Sequence, residues 1–61
     1  MIKETLEGYA ARMLGGPKED NPYYNDKFNY KEYNAWNIGW NVANEAIHES
    51  TLRIIQRLDL N

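Results

Sequence analysis

Cysteine is absent from this 61-residue sequence, so neither a disulfide nor a thiolate zinc site can supplement its core. The same absence makes the cytosol the expected location. A chain of this length lies near the size at which a single core is only marginally stable, which indicates one small domain over residues 1–61. No apolar run approaches the roughly 18 residues that a membrane span needs, so we expect a protein that does not span a membrane.

Positive charge is also scarce. Seven lysine and arginine residues and nine aspartate and glutamate residues give a formal net charge of -2 at pH 7. Nucleic-acid binders usually carry a basic excess, so this balance argues against nucleic-acid binding without excluding it.

Residues suited to catalysis or metal binding are few. Histidine occurs once, at His48, and without a second histidine or a cysteine we expect it to lie at the surface and bind no metal. Ser50 and Thr51 lie too near His48 along a helix to form a catalytic triad with it. Gly15-Gly16-Pro17-Lys18 follows a helix rather than a strand and lacks the Gly-Lys-Ser/Thr ending of a phosphate loop. We therefore expect no catalytic residues, no cofactor and no enzyme activity.

The order of apolar and turn-forming residues predicts an all-α fold. Apolar residues recur at helical spacing from Ile2 to Leu14, and Gly15-Gly16-Pro17 then supplies a left-handed cap and a stop. Turn-forming residues, among them Asn21-Pro22, follow. We expect a helix over about residues 3–14, a linker over about 15–30 and a helix over about 31–58. The prediction is a two-helix hairpin with a long structured linker and a second helix longer than the first.

Trp36 and Trp40 are the most informative residues, because a spacing of four puts both indoles on one face of a helix. Gly39 lies between them, and a mid-helix glycine, which costs about 1 kcal/mol against alanine, indicates that another backbone comes close. Helical periodicity favours burial of these tryptophans over the alternative, an exposed platform that stacks on bases. The predicted structural core comprises Tyr9, Met13, Trp36, Gly39, Trp40 and Ala43.

Asparagine is abundant, with eight residues in the chain. One helical stripe contains Asn34, Asn37, Asn41 and Asn44, with His48 at its end. Asparagine is a mediocre helix former, and a solvated helix usually contains glutamate and lysine instead. Because the asparagine amide both donates and accepts, the stripe is either a solvated face or a surface that pairs with a partner's backbone, amides or base edges.

The second predicted helix, about 40 Å long, extends well beyond the first, which reaches about half that length. Apolar residues of its C-terminal part therefore stay uncovered within one chain. These residues are Leu52, Ile54, Ile55, Leu58 and Leu60. We expect Ile54, Ile55 and Leu58 to pair two chains in an antiparallel homodimer.

Several short motifs occur in a fixed order. They are Gly8-Tyr9-x-Ala11, Gly15, Lys18-Glu19, Pro22-Tyr23 and Trp36-x-x-Gly39-Trp40-x-x-Ala43. In this order they resemble the ribosome modulation factor family over residues 8–46. The resemblance implies two helices joined by a linker, in a small bacterial protein that binds dormant ribosomes, contacts ribosomal RNA near the messenger exit region and favours inactive ribosome dimers. A sister branch of that superfamily is described as fluoroquinolone-modifying and nucleotide-dependent, and the lack of a phosphate motif argues against that activity here.

The resemblance predicts a non-enzymatic protein that associates with the ribosome and its 16S RNA and modulates translation. The expected contact residues are Arg12, Lys18, Tyr23, Tyr24, Lys27, Lys31, Asn34, Asn37 and Asn41. The chain departs from the family in its acidic charge, its longer linker and its longer C-terminal helix. These departures point towards a changed partner. The alternative is a phage- or mobile-element-encoded protein that binds and inhibits a host protein through the asparagine stripe or the C-terminal helix.

Overall fold

The computed structural model describes residues 1–59, which form two α-helices and a connecting linker. Helix α1 spans Ile2–Met13, a single 3-10 turn lies at Lys18–Asp20, and helix α2 spans Tyr30–Asp59. No strand occurs within these residues. The predicted all-α fold with a linker and a longer second helix is confirmed, and each helix begins one residue before the predicted position.

Helix α1 ends at a glycine cap, as predicted from Gly15-Gly16-Pro17. Gly15 has a φ of 87°, a left-handed conformation that glycine adopts without a Cβ clash. Its N–H donates to the carbonyl of Arg12 at 2.9 Å, and the N–H of Gly16 donates to the carbonyl of Ala11 at 2.9 Å. These two bonds satisfy carbonyls at the end of α1 and turn the chain away from the helix axis.

The two helices point in the same direction. Gly8 of α1 lies against Trp36 of α2, and four residues later Arg12 bonds to Asn44, eight residues further along α2. As the chain advances along α1, its contacts therefore move in the same direction along α2. This relationship requires the linker to run back along α2 before α2 begins.

The linker packs against α2 as it runs back. Near its start, the carbonyl of Gly16 accepts a hydrogen bond from Trp40 Nε1 at 2.9 Å. Further along, Asn21 Nδ2 donates to the carbonyl of Tyr33 at 3.0 Å, closer to the N-terminal end of α2. Helix α1 and the linker together cover one face of the N-terminal half of α2.

Glycine at the helix crossing brings the two backbones into direct contact. A Cβ at Gly8 would overlap the carbonyl of Trp36, and a Cβ at Gly39 would overlap the carbonyl of Thr5. The absence of a side chain at both positions is what allows the two helices to approach so closely. The backbone approach expected at Gly39 thus has a counterpart at Gly8, which helical periodicity does not single out.

The core is small and lies between α1 and the N-terminal half of α2. Its buried residues are Gly8, Ala35, Trp36, Gly39 and Ala43. Trp36 is only 3% exposed, and its buried neighbours are alanines and glycines. One indole therefore supplies most of the side-chain volume in the core.

Tyr9 and Met13, which were expected in the core, lie at the surface instead, 38% and 55% exposed. The reason is the glycine contact. Gly8 faces α2, and Tyr9 is the next residue, about 100° around the helix. Met13 follows Tyr9 by four residues and lies on the same flank. Both side chains therefore lie beside the helix contact rather than within it.

Helix α2 continues well past the end of α1. Arg12 near the end of α1 bonds to Asn44 of α2. Past Asn44, α2 continues to Asp59, which is a rise of about 22 Å along the helix axis. Every residue from 48 to 59 is exposed, and we call this segment the α2 extension. The molecule measures 53 × 18 × 15 Å, so the extension is a single helix at one end of a rod.

Candidate functional site

An open apolar groove forms where the end of α1 lies beside α2. It encloses about 370 Å³. Its lining residues are Tyr9, Met13, Ala46, Ile47, Ser50, Thr51 and Ile54. The hydroxyl of Thr51 donates to the carbonyl of Ile47 at 3.0 Å, so this polar group is satisfied within its own helix. The groove therefore presents mainly hydrocarbon to a partner.

The groove continues onto the α2 extension. The residues expected to pair two chains lie there, with Ile54 57% exposed, Ile55 48% and Leu58 68%. These side chains stay largely exposed because α1 ends at Met13 and does not extend along this segment. The further predicted residue Leu60 lies outside the described residues.

Trp40 is half-buried and is bonded to the linker rather than exposed as a stacking platform. Its indole Nε1 donates to Gly16, and the guanidinium of Arg12 lies 5.7 Å from the ring centroid. Arg12 Nε also donates to Asn44 Oδ1 at 2.9 Å. Arg12, expected to contact RNA, instead connects α1 to α2.

Tyr23 also bonds within the fold. Its hydroxyl donates to Glu7 Oε2 at 2.8 Å and joins the linker to α1. This bond to a carboxylate raises the pKa of Tyr23 to about 12, with smaller contributions from burial and nearby glutamates. Tyr23 was expected to stack on bases, and this bond keeps its hydroxyl against α1.

Asn21 organises the linker, although the sequence indicates only a turn at this position. Its Nδ2 donates to the carbonyl of Tyr33 and to Asn37 Oδ1, both at 3.0 Å. Its Oδ1 accepts from the N–H of Tyr23 at 2.9 Å. The Asn-Pro pair predicts the turn, but the sequence carries no signal for these distant partners.

The asparagine stripe divides into two sets. Asn37 and Asn44 are half-buried and bond to Asn21 and Arg12, so they stabilise the fold. Asn34 and Asn41 are exposed. Only the exposed set is available to a partner without breaking bonds within the chain.

Four exposed side chains lie close together in the sequence where the linker leads into α2, and we call them the aromatic patch: Tyr24, Lys27, Phe28 and Lys31. Tyr24 is 76% exposed and Phe28 79%. Lys27 Nζ lies 5.2 Å from the centroid of the Phe28 ring, and Lys31 is exposed on the first turn of α2. The patch contains three of the residues expected to contact RNA, and it adds Phe28, which was not among them.

Asp26 positions the aromatic patch. Its Oδ1 accepts from the N–H groups of Phe28 and Asn29 at 2.9 and 2.8 Å. These bonds, led by that from Asn29, lower the pKa of Asp26. Lys18, the remaining expected RNA contact, is exposed on the separate 3-10 turn.

The described part of the chain contains no group of three or more histidine, cysteine, aspartate or glutamate side chains that could hold a metal ion. Neither helix, over the residues described, is long and apolar enough to cross a membrane. Comparison with known protein families, with curated proteins and with solved structures found no match.

Proposed function

We propose that this chain is a non-enzymatic protein-interaction module that acts in the cytosol. One observation carries the proposal. Among residues 1–59, fifteen large hydrophobic side chains are exposed and three hydrophobic residues are buried. Monomeric proteins rarely expose large contiguous apolar patches, and such patches usually mark interaction sites. A partner supplies the burial that so small a core lacks.

The assembly we propose is a homodimer through Ile54, Ile55 and Leu58. Full burial of each such side chain stabilises a complex by roughly 1.5–3 kcal/mol. In a twofold dimer each residue is buried once in each chain, so its contribution to the stability of the dimer is doubled. Light scattering at tens of micromolar should report a dimer. Truncation after Ser50 should give a monomer of lower stability. A full-length chain that stays monomeric at these concentrations contradicts the homodimer.

A host protein is a further partner in this proposal. Asn34 and Asn41 are exposed on α2 on either side of Ile38, which is itself 57% exposed. The amides supply donors and acceptors to a partner's backbone, and Ile38 supplies apolar area. This face lies outside both the α1 contact and the α2 extension, so a dimer leaves it free.

Association with the ribosome, with an effect on translation, is the second candidate function. The aromatic patch favours it, because exposed Tyr24 and Phe28, with Lys27 and Lys31 near them in the sequence, match the stacking and cationic groups that bind single-stranded RNA. The ordered motif residues that resemble the ribosome modulation factor family also support this candidate.

Two observations weigh against the RNA candidate. Arg12, Tyr23 and Asn37 make hydrogen bonds within the fold, so part of the expected contact set is engaged. The net charge of -2 also supplies no general attraction to phosphate. Protein binding is therefore the better-supported function.

Co-sedimentation with ribosomes separates the two candidates. RNA binding predicts association that weakens steeply as salt rises and that disappears when Lys27 and Lys31 are both replaced by glutamine. The control replaces Arg53 and Arg57 with glutamine, an equal change in charge on the α2 extension. No sedimentation at low salt removes the ribosomal candidate, and equal loss in both double variants removes the aromatic patch as its binding site.

A further inference from the structure

The apolar residues of the α2 extension follow a regular spacing. Ile47, Thr51, Ile54 and Leu58 are separated by four, three and four residues, which is the spacing of a coiled-coil seam. We call these four residues the seam. Ile47, Thr51 and Ile54 line the groove beside the end of α1, and Leu58 follows on the same helical face.

We propose that a second copy of this chain docks on the seam with its α2 extension antiparallel. In this register Ile47 faces Leu58 of the second copy, and Thr51 faces Ile54 of the second copy. A twofold axis relates each of these contacts to an equivalent one with the two chains exchanged. The assembly is therefore a closed dimer. The inference rests on the proposed self-association and adds the register of the antiparallel pairing expected from the sequence.

The length of α2 that α1 leaves uncovered supports a second copy of the chain as the partner. Past Asn44, α2 continues for about 22 Å without α1 beside it, and the matching segment of a second copy has the same length. With Leu58 of the second copy beside Ile47, the end of that helix lies next to Met13, which lines the same groove. Each extension therefore fills the space left where the other copy's α1 ends.

A parallel pairing fits less well. It would match Ile47 with Ile47 and Leu58 with Leu58 of the second copy, so the α1 helices of the two copies would meet at the same level of the seam. No bare helix would then lie beside Tyr9 and Met13, which are 38% and 55% exposed. The antiparallel register covers them with the tip of the second copy's helix.

The chemistry of the seam also suits burial. The Thr51 hydroxyl already donates to the Ile47 carbonyl at 3.0 Å, so its burial leaves no unpaired donor. In the antiparallel register Arg57 lies beside Ser50 of the second copy, and His48 lies beside Ile55 of the second copy. No two like charges are therefore brought together along the seam.

Disulfide trapping tests the register, because the natural chain has no cysteine. Ile47→Cys and Leu58→Cys are prepared as separate proteins and oxidised alone and as a mixture. We expect covalent dimers in the mixture only, since equivalent positions would lie about 16 Å apart, beyond the reach of a disulfide. Covalent dimers in either single variant, or none in the mixture, would overturn the antiparallel seam.

A matched pair of substitutions tests the surface. Ile54 and Ile38 are both isoleucines of α2 and both 57% exposed, but only Ile54 belongs to the seam. Ile54→Asp should weaken dimerisation by about 100-fold or more, since two isoleucines lose their burial, and Ile38→Asp should leave it unchanged. Circular dichroism of both variants checks that helicity is retained.

The outcomes separate this inference from the proposed function. A dimer that both variants weaken equally, or that Ile54→Asp leaves intact, overturns the seam while self-association stands. A wild-type chain that stays monomeric at every concentration tested overturns both.

Discussion

The indole of Trp40 donates from Nε1 to the backbone carbonyl of Gly16, a residue of the α1 cap, at 2.9 Å. The guanidinium of Arg12 lies over the same ring, 5.7 Å from its centroid. Trp40 thereby contacts α1 and the linker from its place on α2. Although it is only half-buried, it connects all three parts of the fold.

Replacing Trp40 with phenylalanine tests the hydrogen bond while one aromatic ring is kept. Phenylalanine keeps an aromatic ring but has no N–H, so we expect the free energy of unfolding to fall by about 1 kcal/mol. Trp40→Ala removes the ring as well and should cost about 3–5 kcal/mol. Urea unfolding followed by circular dichroism measures both changes. A phenylalanine variant as stable as the wild type would show that the bond to Gly16 contributes nothing.

The helix crossing should tolerate no side chain at Gly8 or Gly39. Alanine favours helix by about 1 kcal/mol, but its Cβ would overlap backbone atoms of the other helix at both positions. We expect Gly8→Ala and Gly39→Ala each to destabilise by about 3 kcal/mol or more, because two backbones must separate. Asn41→Ala, an exposed change on α2 two residues from Gly39, is the control and should be close to neutral. Glycine variants as stable as this control would refute the close crossing.

Tyr23 should give the fold a pH dependence in the alkaline range. The bond to Glu7 raises its pKa from 10.0 to about 12. Because the folded pKa exceeds the unfolded value, this stabilisation is fully present below pH 10.0 and is lost as the pH rises towards about 12. The phenolate absorbance of the wild type minus that of Tyr23→Phe should show a midpoint near 12.

Glu7→Gln provides the control for this titration. It replaces the carboxylate with a neutral amide, so the midpoint of Tyr23 should move back towards 10.0. If Tyr23 titrates at its ordinary pKa in the wild-type protein, the bond to Glu7 does not form in solution.

Periodicity and turn chemistry are sufficient to predict the helices of this chain. The end of α1 follows from Gly15-Gly16-Pro17, a local signal that needs no tertiary partner. The uncovered α2 extension follows from the unequal lengths of the two helices. The direction of α1 relative to α2 does not follow, because it depends on how the linker packs.

The side chains beside the helix crossing are harder to predict. Tyr9 and Met13 follow the apolar period of α1, but the closest contact with α2 is at Gly8, so these two side chains line the open groove and stay exposed. A glycine gives no hydrophobic signal, so periodicity does not identify this contact. The division of the asparagine stripe depends on partners such as Asn21 and Arg12, which are distant in sequence.

Hydrogen exchange of the α2 amides tests most directly the central claim, that the α2 extension is an assembly surface. A helix without neighbours opens by local fraying, whereas a paired helix is protected. We expect exchange in residues 52–58 to slow as the protein concentration rises to tens of micromolar, while residues 35–43 exchange equally at all concentrations. Fast exchange in residues 52–58 that does not change with concentration would contradict the claim.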